Sequence, residues 1–315
     1  GVTRRVTPWM MGEVSYVGSR GDNLIRPTDI NYPDPARVVA LQNSVPGAVN
    51  PVRPYQSYGA ITFRDTTARS RYQGLLTSTK IDAGRSGSLT VNYTLSRNQT
   101  DATNDRDAVD IPQDPSHPER DYADARTDRR HIFNASFSYE LPFFRDAGGW
   151  RRAVLGGWQT AGIVNITSGQ PVSRILVLSD TFRRGVFADL VGDPMVGERF
   201  VNGVPYWFSP DAFAPPAAGT FGNSGRAPFR QPGRHQWDLN FSKNFYPTGT
   251  MRIQFRAELI NAFDQRQWLS DPLTNGLDNT CTSSNTACNV AGDRFGQIIA
   301  TRAAREVQLG LKVYW

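Results

Sequence analysis

No run of about 20 apolar residues, the length a membrane-spanning helix needs, occurs in these 315 residues. A helical membrane fold is therefore excluded, in keeping with a mean hydropathy of −0.46. Lysine is nearly missing, present only at Lys80, Lys243 and Lys312, so the net charge of +6 is carried almost wholly by arginine. Those arginines are scattered and form no stripe or binding motif, so no nucleic-acid partner is expected. The three histidines, His117, His131 and His235, have no HExxH spacing. No serine sits in a G-x-S-x-G turn, and neither a P-loop nor a dinucleotide fingerprint is present. No catalytic residue, metal ligand or cofactor is expected, and the chain does not read as an enzyme. An initiator Met and a charged-then-apolar leader are also missing at Gly1-Val2-Thr3-Arg4-Arg5, which reads as the middle of a longer protein.

What the chain has in abundance is period-two alternation, the signature of strands with one apolar face. Leu89, Val91, Tyr93 and Leu95 alternate with Thr90, Asn92, Thr94 and Ser96. Phe133, Ala135, Phe137, Tyr139 and Leu141 alternate with Asn134, Ser136, Ser138 and Glu140. Met251, Ile253, Phe255, Ala257 and Leu259 alternate with Arg252, Gln254, Arg256 and Glu258, and Val307, Leu309, Leu311, Val313 and Trp315 with Gln308, Gly310, Lys312 and Tyr314. Each run is about ten residues, enough to cross a bilayer as a strand tilted near 45°. The connections alternate as well. Residues 82–86, 145–149 and 247–249 are tight turns, whereas 99–128, 169–233 and 265–303 are long and polar. Short turns on one side and long loops on the other characterise outer-membrane barrels. Aromatics mark both boundaries: Phe143, Phe144, Trp150, Phe245 and Tyr246 at the short-turn end, Trp237 and Phe263 at the long-loop end.

The expected fold is all-β, an antiparallel transmembrane β-barrel wall forming part of a larger barrel, with long extracellular loops. About eight spanning strands are expected over residues 7–18, 69–81, 86–98, 129–142, 153–167, 235–246, 250–263 and 304–315. An even number lets Trp315 finish on the periplasmic side. Residues 57–65 are strand-like too, but are placed in the first extracellular loop.

Several phrases resemble the Oar-like branch of the TonB-dependent receptors. These include Glu13-Val14-Ser15-Tyr16-Val17-Gly18-Ser19-Arg20-Gly21, then Asp128-Arg129-Arg130-His131-Ile132-Phe133 with Tyr139-Glu140-Leu141-Pro142-Phe143, and Leu155-Gly156-Gly157-Trp158-Gln159 with Ser168-Gly169-Gln170-Pro171. Phe221-Gly222-Asn223-Ser224-Gly225-Arg226, Trp237-Asp238-Leu239, Lys243-Asn244-Phe245, Arg256-Ala257-Glu258-Leu259-Ile260-Asn261-Ala262-Phe263 and Phe295-Gly296-Gln297-Ile298 follow in order. Asp264-Gln265-Arg266-Gln267 departs from the Asn-His-Pro typical there. The resemblance implies a barrel of about 22 strands, with residues 1–315 as its C-terminal part, and a plug, TonB box and carboxypeptidase-regulatory-like domain that this stretch lacks. It further implies a Gram-negative outer membrane, energy-coupled uptake of an unknown small ligand, and contact with lipid, with the rest of the barrel and plug, with TonB through the plug, and with the barrel-assembly machinery.

Four site expectations accompany this reading. Cys281 and Cys288 form a local disulfide in an exported loop, with two unpaired thiols as the alternative. The row Arg252, Gln254, Arg256 and Glu258 faces the lumen, either toward a ligand or plug or as a self-satisfying ladder with neighbouring strands. Val313 and Trp315 belong to a C-terminal insertion signal. The run from Asp101 to Asp110 is a solvated acidic loop, with calcium as the weaker alternative because the Gly and terminal Glu of an EF-hand are missing. Autonomous closure into a small adhesin-like or structural barrel is a second reading of the whole. A β-sandwich is a third, and it would strip Trp150, Trp158, Trp237 and Trp315 of an interface role.

Overall fold

The protein is seen in a computed structural model that describes residues 1–102, 111–172, 174–179, 182, 184–248, 250–269, 295–298 and 300–315. Its frame is one antiparallel sheet of β1 (Val2–Thr7), β2 (Met10–Asp29), β3 (Thr62–Asp82), β4 (Gly87–Thr100), β6 (His131–Glu140), β7 (Trp158–Thr167), β14 (Arg234–Phe245), β15 (Arg252–Ile260) and β16 (Glu306–Tyr314), each hydrogen-bonded to the next. A two-residue strand, β5 (Ala123–Asp124), adds to the end of β4. Among the described residues, six small strands lie in the long connections: β8 (Leu176–Ser179), β9 (Arg184–Phe187), β10 (Asp189–Leu190), β11 (Arg199–Val201), β12 (Val204–Tyr206) and β13 (Phe213–Ala214). Two short α-helices, α1 (Pro35–Gln42) and α2 (Gly149–Leu155), flank the strands.

Directly opposed residues in antiparallel strands share a face, and the register sorts the sheet cleanly. Ile81, Leu89, Phe137 and Gly162 stand in one cross-strand row, and Thr79, Val91, Ala135 and Val164 in the next. The same face continues through Leu239–Leu259–Val307, Phe241–Ala257–Leu309, Lys243–Phe255–Leu311 and Phe245–Ile253–Val313. The opposite face holds Thr90, Asn92, Asn134, Ser136, Asn165, Asn240, Ser242, Gln254 and Glu258. Little covers the apolar face: Val14 is 51% exposed, Leu309 67% and Leu311 66%. A water-soluble sheet would bury such a face against a second layer. Here the buried apolar residues sit almost entirely outside the sheet, in the loops.

The structure corrects the expected strands in three places. The region 7–18 is not one strand, because Pro8 has no N–H to donate to a ladder. Pro8-Trp9 instead turns the chain between β1 and β2, which pair from Val2 opposite Val14 to Thr7 opposite Met10. The wall therefore has eight strands of nine residues or more, in keeping with about eight spanning strands, and the six-residue β1 adds a ninth at its edge. The segment 153–167 begins as helix: α2 runs to Leu155, and Gly156-Gly157 ends it, with Gly157 at φ +71°, a conformation that glycine adopts freely. Third, β3 starts at Thr62, so the end of segment 57–65 belongs to a strand. At 20 and 21 residues, β2 and β3 are about twice the length a bilayer crossing needs, so their paired ends stand beyond the apolar belt.

Candidate functional site: the polar wall and the loop cap

The four residues expected to face inward lie on one face of one strand. Arg252, Gln254, Arg256 and Glu258 share the polar face of β15, opposite Tyr314, Lys312, Gly310 and Gln308 on β16 and, for the last three, Asn244, Ser242 and Asn240 on β14. They bind one another and their neighbours. Asn240 Nδ2 donates to Glu258 Oε1 (3.3 Å), Arg256 Nε donates to Gln254 Oε1 (3.0 Å), and the Arg252 guanidinium lies 4.1 Å from the centre of the Tyr314 ring. The polar face continues onto Asp238, whose carboxylate accepts from Gln236 Nε2 (2.8 Å) and from the Asn261 backbone (3.0 Å). A recess of about 350 Å³ lies at this part of the sheet, lined by residues of both faces, Phe137, Gly162, Leu239 and Leu259 as well as Asp238 and Glu258. It offers apolar contact flanked by two carboxylates.

The long connections fold into a cap with its own core. Val172, Ile175, Val177, Ala188, Phe208, Phe213 and Phe229 pack with Trp268, Phe295 and Ile298, which come from the last long connection. The rings meet at close range, Phe208 to Phe229 at 4.5 Å and Phe208 to Phe295 at 5.0 Å. Sequence reasoning took these stretches as polar loops. The missed signal lies in isolated Phe and Trp residues spread over more than 100 positions, too far apart for periodicity to register. Of Tyr206-Trp207-Phe208, Phe208 is fully buried, Trp207 Nε1 donates to the Arg230 carbonyl (2.6 Å), and Tyr206 Oη accepts from Gln297 Nε2 (3.0 Å). Glycine serves a close approach at Gly222, where a Cβ would fall 1.9 Å from the Phe187 carbonyl oxygen.

Arginine–aspartate contacts fasten the cap to the strand ends. Asp124 accepts from Arg97 (2.8 Å) on β4 and from Arg230 (2.7 Å) in the cap, and Arg230 also reaches Asp128 at 2.5 Å. Partial burial alone would raise the Asp124 carboxyl, but the hydrogen bonds and charges of Arg97 and Arg230 hold it below the usual carboxylate range. Burial pushes Asp121 up, against the pull of Arg226, Arg26 and Arg174. Arg26 is fully buried, with Nη1 3.5 Å from Asp101 Oδ2. Asp101 also accepts from the Arg69 backbone (2.7 Å), and its carbonyl accepts from Arg226 Nη1 (2.6 Å). Arginine and backbone donors thus occupy the first carboxylate of the acidic loop, and among the described residues no group of three or more His, Cys, Asp or Glu is arranged to hold a metal. The rest of that loop, from 103 to 110, lies outside the described residues, as do Cys281 and Cys288.

At the short-turn end, Trp9, Phe143, Phe144, Trp150, Tyr246 and Trp315 are all exposed, forming an aromatic boundary. Lys243, on the apolar face of β14, turns its ammonium to the Gly156 carbonyl at the end of α2, beside the rings of Phe245 and Trp158. Val313 pairs with Ile253 on the apolar face, and Trp315 follows at 95% exposure.

An antiparallel wall with one bare apolar face, one hydrogen-bonded polar face, an aromatic edge and a loop cap has the build of an outer-membrane β-barrel. The chain belongs to the outer membrane beta barrel domain family, whose model matches residues 1–308. Among solved structures it is similar to BauA, the ferric preacinetobactin receptor from Acinetobacter baumannii, at 12% identity and a TM-score of 0.42, over 97% of this chain and 27% of that one. It is also similar to the outer membrane transporter YddB from Escherichia coli, at 8% identity and a TM-score of 0.43, over 99% of this chain and 31% of that one. The chain thus spans under a third of the length of either. No curated protein matches it.

Proposed function

We propose that this chain is part of the wall of a larger barrel, an Oar-like TonB-dependent importer, with its cap outside the cell and its polar face turned to the lumen and a plug. One observation carries the reading. Nine strands of strictly antiparallel neighbours leave β1 and β16 running in the same direction. Closing them directly would require a parallel seam, whereas bacterial single-chain barrels have an even number of antiparallel strands. An odd number of further strands restores that pattern, which disfavours the autonomous small barrel. The polar row on β15 then lines the passage.

The importer reading is tested by growing a deletion strain and its complemented parent on ferric chelates, oligosaccharides and peptides as limiting nutrients, with and without TonB. A deficit on at least one nutrient, abolished as a difference when TonB is also deleted, is expected. Normal growth on all of them, with the protein present at the surface of the parent, favours the adhesin or structural role. Within the same reading Val313 and Trp315 end the strand that the assembly machinery recognises. Trp315→Ala should lower the amount of protein in the outer membrane, and an unchanged amount refutes the signal.

A further inference from the structure

Above the apolar belt, on the same outward face, the wall carries arginines where a sheet should avoid them. Arg20 on β2 and Arg71 on β3 are direct cross-strand partners. Like charges placed directly opposite repel, and two more arginines surround this pair. Arg69 lies two residues along β3, and Arg97 on β4 is partnered with Gln73, one step diagonal to Arg71. Arg20 is chelated by Asp22 (2.7 Å) and Arg97 by Asp124 (2.8 Å), while Arg69 reaches the shared Asp101 only at 3.9 Å and stacks 5.7 Å from the Tyr122 ring centre. Among the described residues Arg71 has no carboxylate partner, and its guanidinium lies against the Gln73 side-chain amide. An open cleft of about 720 Å³ runs over the group, lined by Tyr16, Arg20, Arg69, Arg71, Glu119 and Tyr122 among others.

Directly beneath the Arg20–Arg71 pair stands the row Gly18–Gln73–Arg97, and beneath it an apolar row, Tyr16 opposite Leu75 and Leu75 opposite Leu95. Arg97 therefore stands one register step above the surface assigned to acyl chains, Arg20 and Arg71 two, about 7 and 14 Å along the strands, and Arg69 one step farther. Fixed guanidiniums bind phosphate oxygens bidentately, and an anion between Arg20 and Arg71 would relieve their repulsion. We infer that this cleft binds a phosphate-bearing membrane lipid, its headgroup phosphate held by Arg20 and Arg71 and its chains lying on the Tyr16–Leu75–Leu95 rows. The inference rests on the reading that the apolar face meets lipid.

The test uses the full-length protein in neutral detergent, titrated with bisphosphorylated lipid A, with its dephosphorylated form and with inorganic phosphate. The phosphorylated lipid should bind at least about ten-fold tighter than the dephosphorylated one, the value of one charge-assisted contact. Arg71→Gln and Arg20→Gln should each erase most of that preference, and Arg85→Gln, in an exposed turn at the other end, should leave it intact. Equal affinities for the two lipids in the wild type, or a preference indifferent to Arg20 and Arg71, overturns the inference. So does inorganic phosphate competing as well as the lipid, which marks a free-anion site. Heat-modifiable migration confirms that each variant is folded. Insertion of the wild type into phosphatidylcholine vesicles reads the membrane wall separately, so that failure there is distinguishable from failure of the headgroup site.

Discussion

At the scale of single residues, neighbours along one strand have opposite surroundings. Phe255 stands in the row Lys243–Phe255–Leu311, and Gln254 in the row Asn244–Gln254–Lys312 on the other face. Arginine in place of Phe255 would be placed in hydrocarbon at a cost of about 2–4 kcal/mol, whereas Gln254→Arg would enter a polar row at a far smaller cost. Denaturant titration of the protein refolded into bilayers reads both, and equal costs would refute the facing of β15. This facing is legible in the amino-acid order alone, because the side-chain period of a strand is two and β15 alternates without a break. The facing of 7–18 is not, since Pro8 interrupts the ladder and Met11 and Val17 place apolar side chains on the polar side.

At the scale of elements, the long connections behave as a small folded body rather than as loops. Phe208 is in contact with three other rings at its centre, so Phe208→Ala should destabilise the cap by about 3–5 kcal/mol. Hydrogen exchange should show lost protection over residues 172–229 while β6, β7 and β14 keep theirs; a loss spread evenly over sheet and cap would mean that the two do not unfold separately. The Asp124 contacts add a pH dependence. Because its carboxyl lies below the ordinary value in the folded protein, its stabilisation is complete above the unfolded value of about 3.9 and is lost as pH falls through the lowered folded value. Asp121, raised by burial, acts with the opposite sign, so Asp124→Asn is needed to isolate the effect. Protease cleavage within the cap should rise below about pH 4 in the wild type, and the acid increase should shrink in Asp124→Asn; an equal increase in both would remove Asp124 from the account. Strands and short turns can be read from the sequence because they are local patterns. The cap cannot, because its core joins residues from two connections and Arg230 meets Asp124 and Asp128 from about 100 positions away.

At the scale of the molecule, the unsolved element is the pair of edges. Backbone groups in hydrocarbon must find partners, each unsatisfied one costing several kcal/mol, yet among the described residues no ladder joins β1 to β16. All nine residues of β16 are exposed, and among the described residues it pairs on one side only. Eight strands are long enough to cross, as expected, and the added six-residue β1 makes the two edges parallel to each other. Cysteines at Thr3 and Gln308, both on the polar face by register, read the outcome directly. In the protein as the cell makes it, the proposed larger barrel should give no Thr3→Cys to Gln308→Cys disulfide on oxidation, because further strands would then keep the two edges apart. A control pair at Asn240 and Glu258, directly opposed on β14 and β15, should crosslink under the same conditions. A high yield of the first bond within one chain would mean that the nine strands close on themselves through a parallel seam, and the larger barrel would have to be abandoned.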